Sequence, residues 1–168
     1  MSKKSNLLSK VGLFAALITI VTVYIMHIPN GYGGYIHLGD VVIYICAIIL
    51  PTKYAMLAAA IGGGFADLLS NAPMYIIPTI IIKSLLVICF TNKGDKILNK
   101  RNIIAPLICI FITSIGYTIA NVIITGSIEV AITVIILDCI QPIASGIIFY
   151  IVAFALDRVK LKEKIGVI

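Results

Sequence analysis

Long apolar runs alternate with short polar or turn-rich breaks along this chain. Apolar segments fall at 11–28, 41–50, 54–70, 74–91, 103–125 and 128–156. A membrane-crossing helix takes about 20 apolar residues, and most of these runs approach that length. The breaks carry residues that stop helices. Pro29-Asn30 opens a glycine-rich stretch, Pro51-Thr52-Lys53 and Asn71-Ala72-Pro73 follow, and NKGDKILNKRN (92–102) and Gly126-Ser127 complete the set. The pattern predicts six helices with short connections. The first run has the outward look of a secretory leader. It is too long for one, however, and HIPNGYGG follows it instead of a small-x-small cleavage site, so it reads as a retained span.

Composition narrows the class. The chain has 168 residues, of which 61% are hydrophobic and 12% charged, and its mean hydropathy is +1.13. Soluble domains carry about 25% charged residues. Half that amount cannot coat a globule of this size, and disorder requires low hydrophobicity. The expectation is an all-α integral membrane protein: one six-helix domain over 1–168, with no length left for a soluble module.

The net charge of +6 changes the picture only through its placement. Lys3, Lys4 and Lys10 precede the first span, and Lys53 lies between the second and third. Lys93, Lys96, Lys100 and Arg101 fill the 92–102 loop, and Arg158, Lys160, Lys162 and Lys164 the tail. The loops at 29–40, 71–73 and 126–127 carry no Lys or Arg. Six spans with both termini cytoplasmic put every basic site on the cytoplasmic side. The same clustering at span ends argues against a nucleic-acid partner.

Polar groups inside apolar runs are costly, about 2.5–3.5 kcal/mol for an ionised side chain at the bilayer centre on insertion scales. Lys83 and Asp138 lie well inside the fourth and sixth runs, and Asp67 near the outer end of the third. Lys83 and Asp138 are either a structural ion pair or a functional one. Asp40, after Gly39, is either an N-cap of the second helix or part of a site. Glu129 reads as an ordinary first-turn acid. Helical spacing puts Tyr75, Thr79 and Lys83 on one face. It does the same for Ser114, Tyr117 and Asn121, and for Asp138, Gln141 and Ser145. Three polar stripes that cannot cheaply face lipid are expected to converge on a cavity among the last three spans, open toward the outside. Pro78 and Pro142 free nearby carbonyls as further acceptors.

The 29–40 loop adds Tyr32, Tyr35 and His37 among glycines, as a tight loop whose rings stack on a flat ligand or anchor at the interface. Gly12/Ala16, Ala58/Gly62, Ala59/Gly63, Ala60/Gly64 and Gly62/Ala66 are small-residue pairs that let helices approach closely, inside the monomer or toward another subunit. The four cysteines lack metal or CxxC spacing and read as small apolar residues. No GxxxxGK[ST], HExxH or GxSxG occurs, so neither an ATPase site, a metal centre nor a hydrolase elbow is expected, and no cofactor.

The stretch IHLGDVVIYICAIILPTKYAMLAAAIGGGFADLLS, followed by NAPMYIIPTIIIK, resembles the S component of energy-coupling-factor (ECF) vitamin transporters. HLGD, the apolar run to Pro51, the glycine-rich third helix ending ADLL and the Pro…Lys fourth helix match in order. The resemblance implies a bacterial plasma-membrane protein that binds a vitamin or precursor near the outer face. It further implies docking on a transmembrane coupling subunit carried by two ATPases, whose ATP cycle topples the S component. In the family an AxxxA pattern on helix one contributes to docking; here Gly12 replaces the first Ala and Ala16 holds the second place. Residues expected to hold the ligand are Tyr32, Tyr35, His37, Asp40 and Asp67 with Tyr75, Thr79, Lys83, Tyr117, Asn121, Asp138 and Gln141. With both charge signs present, a small polar heteroaromatic is expected: a pyrimidine, a pyridoxine-like compound or a flavin-type precursor. A self-sufficient carrier or channel, or a membrane enzyme using Lys and Asp, are the competing readings. No internal repeat favours a carrier.

Overall fold

Each apolar run forms a helix in the computed structural model, which describes residues 3–25, 27–29 and 35–164. The helices are α1 (Lys3–Tyr24), α2 (Gly39–Ile49), α3 (Thr52–Leu69), α4 (Ile76–Cys89), α5 (Lys100–Thr125), α6 (Ile128–Arg158) and a short α7 (Leu161–Lys164). A 3-10 turn, Pro73–Tyr75, leads into α4. A two-residue antiparallel ladder pairs β1 (Ile28–Pro29) with β2 (Tyr35–Ile36), Ile28 opposite Ile36. The fold is all-α apart from this ladder.

Local chemistry sets the helix ends. Asn99 caps α5, its side chain accepting from Asn102 N–H at 3.0 Å. Gly126 stops that helix in the left-handed region at φ 69°, where a side chain would be strained. Ser127 then caps α6 through Val130 N–H at 3.3 Å, with Glu129 in the first turn. Pro51 precedes α3, consistent with the loss of its N–H donor. Of the two readings of Asp40, the N-cap of α2 is overturned. Leu38 holds the cap position, and Asp40 lies inside the first turn with its side chain turned into the protein.

α1, α5 and α6 are long and apolar enough to cross a membrane on their own; α2 and the Pro73–Cys89 segment are apolar but shorter. α2 has 11 residues, a rise of about 16 Å against a hydrocarbon core of about 30 Å. It survives because it is enclosed: α1, α3, α4 and α6 all contact it. Tyr44, Cys46 and Ile48 have no more than trace exposure.

The outer surface inverts the pattern of a soluble protein. On α6, Ile132, Ile136, Ile140, Ile143, Ile147, Ile151 and Phe154 are all exposed and recur every three or four residues. α5 shows the same outward stripe through Ile104, Ile108, Phe111, Ile115, Ile119 and Ile123. Apolar surface this continuous has no place in water.

Inside, the two ends of the bundle differ. Toward the α4–α5 connection lies an aromatic core in which Tyr44 stacks on Phe90 (4.8 Å between centroids) and both meet Phe149 edge-on. That connection is tied down by side chains. Asp157 accepts from Ile97 N–H and Leu98 N–H at 2.7 and 2.9 Å, and Lys162 donates to the carbonyls of Asn92 and Gly94. Toward the opposite end, where α1 leaves and α5 meets α6, the interior becomes polar.

α1 and α3 pack closely. A Cβ on Gly62 would meet the Ala15 carbonyl and the Ile18 side chain, both at 2.8 Å, and Thr19 donates to the Gly62 carbonyl at 3.0 Å. Gly63 faces Thr79 and Lys83 of α4 instead. The glycine run of α3 is therefore spent on packing within the chain. Gly12 has open space where a Cβ would stand, and Ala16 is exposed one turn further on.

Candidate functional site

Five helices, α2 to α6, and one loop deliver polar side chains to the interior of the polar end. The stripes on α4, α5 and α6 do face one another. Tyr75 donates to Asn121 Oδ1 at 2.7 Å, the Thr79 and Tyr117 hydroxyls lie 3.0 Å apart, and Asn121 Nδ2 reaches Asp138 Oδ2 at 3.4 Å. Ser114 turns aside to Cys139, 3.0 Å away, and buried Ser145 has no partner among the described residues.

The buried charges pair differently from the expectation. Lys83 does not reach Asp138. Its ammonium donates to Asp40 Oδ1 at 2.6 Å, with both side chains almost fully sealed from solvent. Asp40 Oδ2 accepts from Gln141 Nε2 at 3.0 Å. The pairing satisfies both oxygens of a carboxylate that has lost its water, which makes such a burial tolerable. Helical periodicity gives the face of a residue but not which helix lies opposite. α2 offers one charged residue in its whole length, so no stripe announced Asp40 as the partner.

The loop supplies the rest. Tyr35 on β2 donates to Asp67 Oδ1 at 2.6 Å. Burial and the Asp67 carboxylate hold the Tyr35 phenol protonated well above its ordinary range, which fixes it as the donor. His27 stacks on Tyr35 with centroids 4.2 Å apart. His37 is buried, and its Nδ1 accepts from Gly39 N–H at 3.0 Å. Burial first, and the Lys83 charge second, pull its pKa down to about 3. His37 is therefore neutral at physiological pH with its proton on Nε2. Tyr32 lies outside the described residues.

These groups surround an open-sided cavity of about 450 Å³ of empty space, its mouth included. Tyr35, His37 and Asp67 line one side, Tyr75, Tyr117 and Asn121 another, and Asp138 and Gln141 of α6 a third. Asp40, Thr79 and Lys83 stand behind the lining. Of these, Asp40 acts on the cavity through Gln141, whose Nε2 it holds and whose side chain lines the wall.

Thr113 also lines the cavity, buried, its hydroxyl unpartnered among the described residues. Sequence reasoning passed over it. Its signal was present: Thr113, Tyr117 and Asn121 recur every four residues, a face one step away from the chosen Ser114. Among the described residues no group of His, Cys, Asp or Glu side chains is placed to hold a metal ion. The cysteines are all free.

A search of curated proteins gives no match. The family model of the ECF-type riboflavin transporter S component matches residues 3–158, nearly the whole chain. The chain therefore belongs to the ECF-type riboflavin transporter S-component family, which makes it a substrate-binding subunit of a vitamin transporter, with ATP hydrolysis in partner subunits, and not an enzyme.

Proposed function

We propose that this protein is the high-affinity vitamin-capturing subunit of an ECF transporter in a bacterial plasma membrane. It crosses the bilayer six times as a single domain, with both termini in the cytoplasm and the cavity open to the outside. A transmembrane coupling subunit and two ATPases complete the transporter. The observation that carries this reading is the gathering of polar side chains from one loop, the 3-10 turn before α4, and helices α3, α5 and α6 around one cavity, in a molecule whose outer surface is apolar. Polar groups desolvated in a membrane are costly and mark functional sites.

The ligand is a vitamin or vitamin precursor with a flat heteroaromatic ring. Tyr75 and Tyr117, 6.4 Å apart and tilted, offer one aromatic wall, and Tyr35 with His37 offers another. Tyr32, in the same stretch of sequence, is a further proposed partner of the ligand. Asp67, Asn121, Asp138 and Gln141 take the polar edge; Thr79, Asp40 and Lys83 hold them in place. Riboflavin, the vitamin in the family's name, and smaller pyridine or pyrimidine compounds fit this description. The exposed Gly12 and Ala16 form the docking face for the coupling subunit.

Native mass spectrometry of the detergent-purified protein tests the reading. The expected result is a small heteroaromatic compound bound one-to-one and unmodified. Asp138→Ala is expected to weaken binding at least tenfold, the scale of a lost charge-assisted hydrogen bond, while co-purification with the coupling subunit persists. Uptake that proceeds without ATPase partners would overturn the proposal in favour of a self-sufficient carrier.

A further inference from the structure

Most hydrogen-bond donors on the cavity wall are already engaged within the protein. Tyr35 donates to Asp67, Tyr75 to Asn121 and Gln141 to Asp40, and the Tyr117 hydroxyl is shared with Thr79. Thr113 differs. It lines the cavity, is 1% exposed, and its hydroxyl has no hydrogen-bond partner among the described residues. A threonine inside a helix has a ready partner in the carbonyl four residues back. On α5 itself Thr118 and Thr125 both use it, donating to the Ser114 and Asn121 carbonyls at 2.7 Å, and Thr133 on α6 does the same toward Glu129 at 2.8 Å. Thr113 leaves the corresponding Cys109 carbonyl unused. A buried hydroxyl that forgoes an available bond is costly, so its placement calls for a partner from outside the chain. Its position suits one. Thr113, Tyr117 and Asn121 recur every four residues and share one face of α5, with Thr113 at the end nearest the aromatic core. A ring lying against Tyr117 is one helical turn, about 5–6 Å between neighbouring Cβ atoms, from Thr113.

We propose that Thr113 is a specificity-determining residue at the inner end of the cavity: its hydroxyl donates to an uncharged oxygen of the bound vitamin, a ring carbonyl or a side-chain hydroxyl. This rests on the transport-subunit reading above and deepens it. The partner is uncharged because a hydroxyl brings no charge to offset an anion's loss of water. A site built around such a bond discriminates against a ligand that lacks the oxygen, since the buried hydroxyl is then left unpaired. The aromatic walls accept flat rings in general, and Thr113 selects those that carry oxygen at the leading edge.

The test is calorimetric titration of purified full-length protein with riboflavin. Thr113→Val, which exchanges the hydroxyl for a methyl group of similar size, is expected to weaken binding about fivefold or more. Thr113→Ser, which keeps the hydroxyl, should bind within about threefold of the unaltered protein. Thermal melts without ligand separate recognition from structure. Thr113→Val should melt at or above the unaltered protein, because it removes a buried hydroxyl that no protein group satisfies. A hydroxyl of purely structural value would instead lower the melting temperature and leave affinity alone. Lumiflavin, with the same ring and a methyl group in place of the ribityl chain, distinguishes the two sources of the oxygen. A loss of similar size with lumiflavin assigns it to a ring carbonyl, and a loss confined to riboflavin assigns it to a chain hydroxyl. The proposal is overturned if Thr113→Val loses less than fivefold, if Thr113→Ser binds no better than Thr113→Val, or if the unaltered protein does not bind riboflavin. The transport reading fails separately, through absence of association with a coupling subunit in a pull-down, which these titrations do not touch.

Discussion

Removing the Lys83 ammonium leaves Asp40 as a lone carboxylate with no water around it. Breaking a buried pair from one side costs about 3–5 kcal/mol, so Lys83→Met is expected to lower the melting temperature in detergent by many degrees. Lys83→Met combined with Asp40→Asn, which leaves no net charge, should restore most of the loss. Equal damage from the single and double variants would show that the pair's value lies in shape and not in charge. His37 makes a prediction of a different kind. With its pKa at about 3 against an ordinary value near 6.5, the folded loop stays unprotonated while a released loop takes up a proton. The folded form therefore loses stability as pH falls from about 6.5 toward 3, by about 2 kcal/mol between pH 7 and pH 5. Imidazole NMR shifts in a His27→Gln background should show no titration of His37 between pH 8 and pH 5, and a midpoint near 6.5 would refute its burial as a neutral ring. At this scale the chain's polar residues could be read as expensive, and their stripes as convergent. Their partners could not, because the Lys83–Asp40 contact joins residues 43 positions apart and periodicity carries no such information.

The two small-residue helices separate cleanly once seen together. Gly62 is wedged against the Ala15 carbonyl, so Gly62→Leu forces α1 and α3 apart and should cost about 1–3 kcal/mol or more, read as a lower melting temperature. Gly12→Leu projects into open space. It should leave the melting temperature within about a degree or two and reduce recovery of the coupling subunit in a pull-down; undiminished recovery would remove α1 from the docking surface. Sequence alone showed that both positions were suited to close approach, and could not say which approach was internal. The helix boundaries were easier, since Pro51, Gly126 and Ser127 act locally and their neighbours in sequence are also their neighbours in space. The Ser114 stripe failed for a related reason. A choice between steps of three and four residues rotates a face by a fraction of a turn, enough to exchange Thr113 on the cavity wall for Ser114 against Cys139.

For the whole molecule, an apolar exterior and the pairing of polar groups inside one end follow from one cause, the absence of water around most of the chain. The fold class was legible from composition because that cause acts on nearly every residue. Which acid Lys83 serves was not, since that is set by how the helices meet and not by composition. α2 has a further consequence for how the chain is made. An 11-residue segment beginning Gly39-Asp40 is too short to enter a bilayer as a unit of its own. If the chain crosses the membrane as proposed, α2 is inserted jointly with α3 as a hinged hairpin at Pro51, and its acid has no counter-ion until synthesis reaches Lys83. Biogenesis thus passes through an interval in which Asp40 must remain at the water boundary or carry a proton, and lysine-bearing α4 is the element whose arrival draws α2 to its final depth.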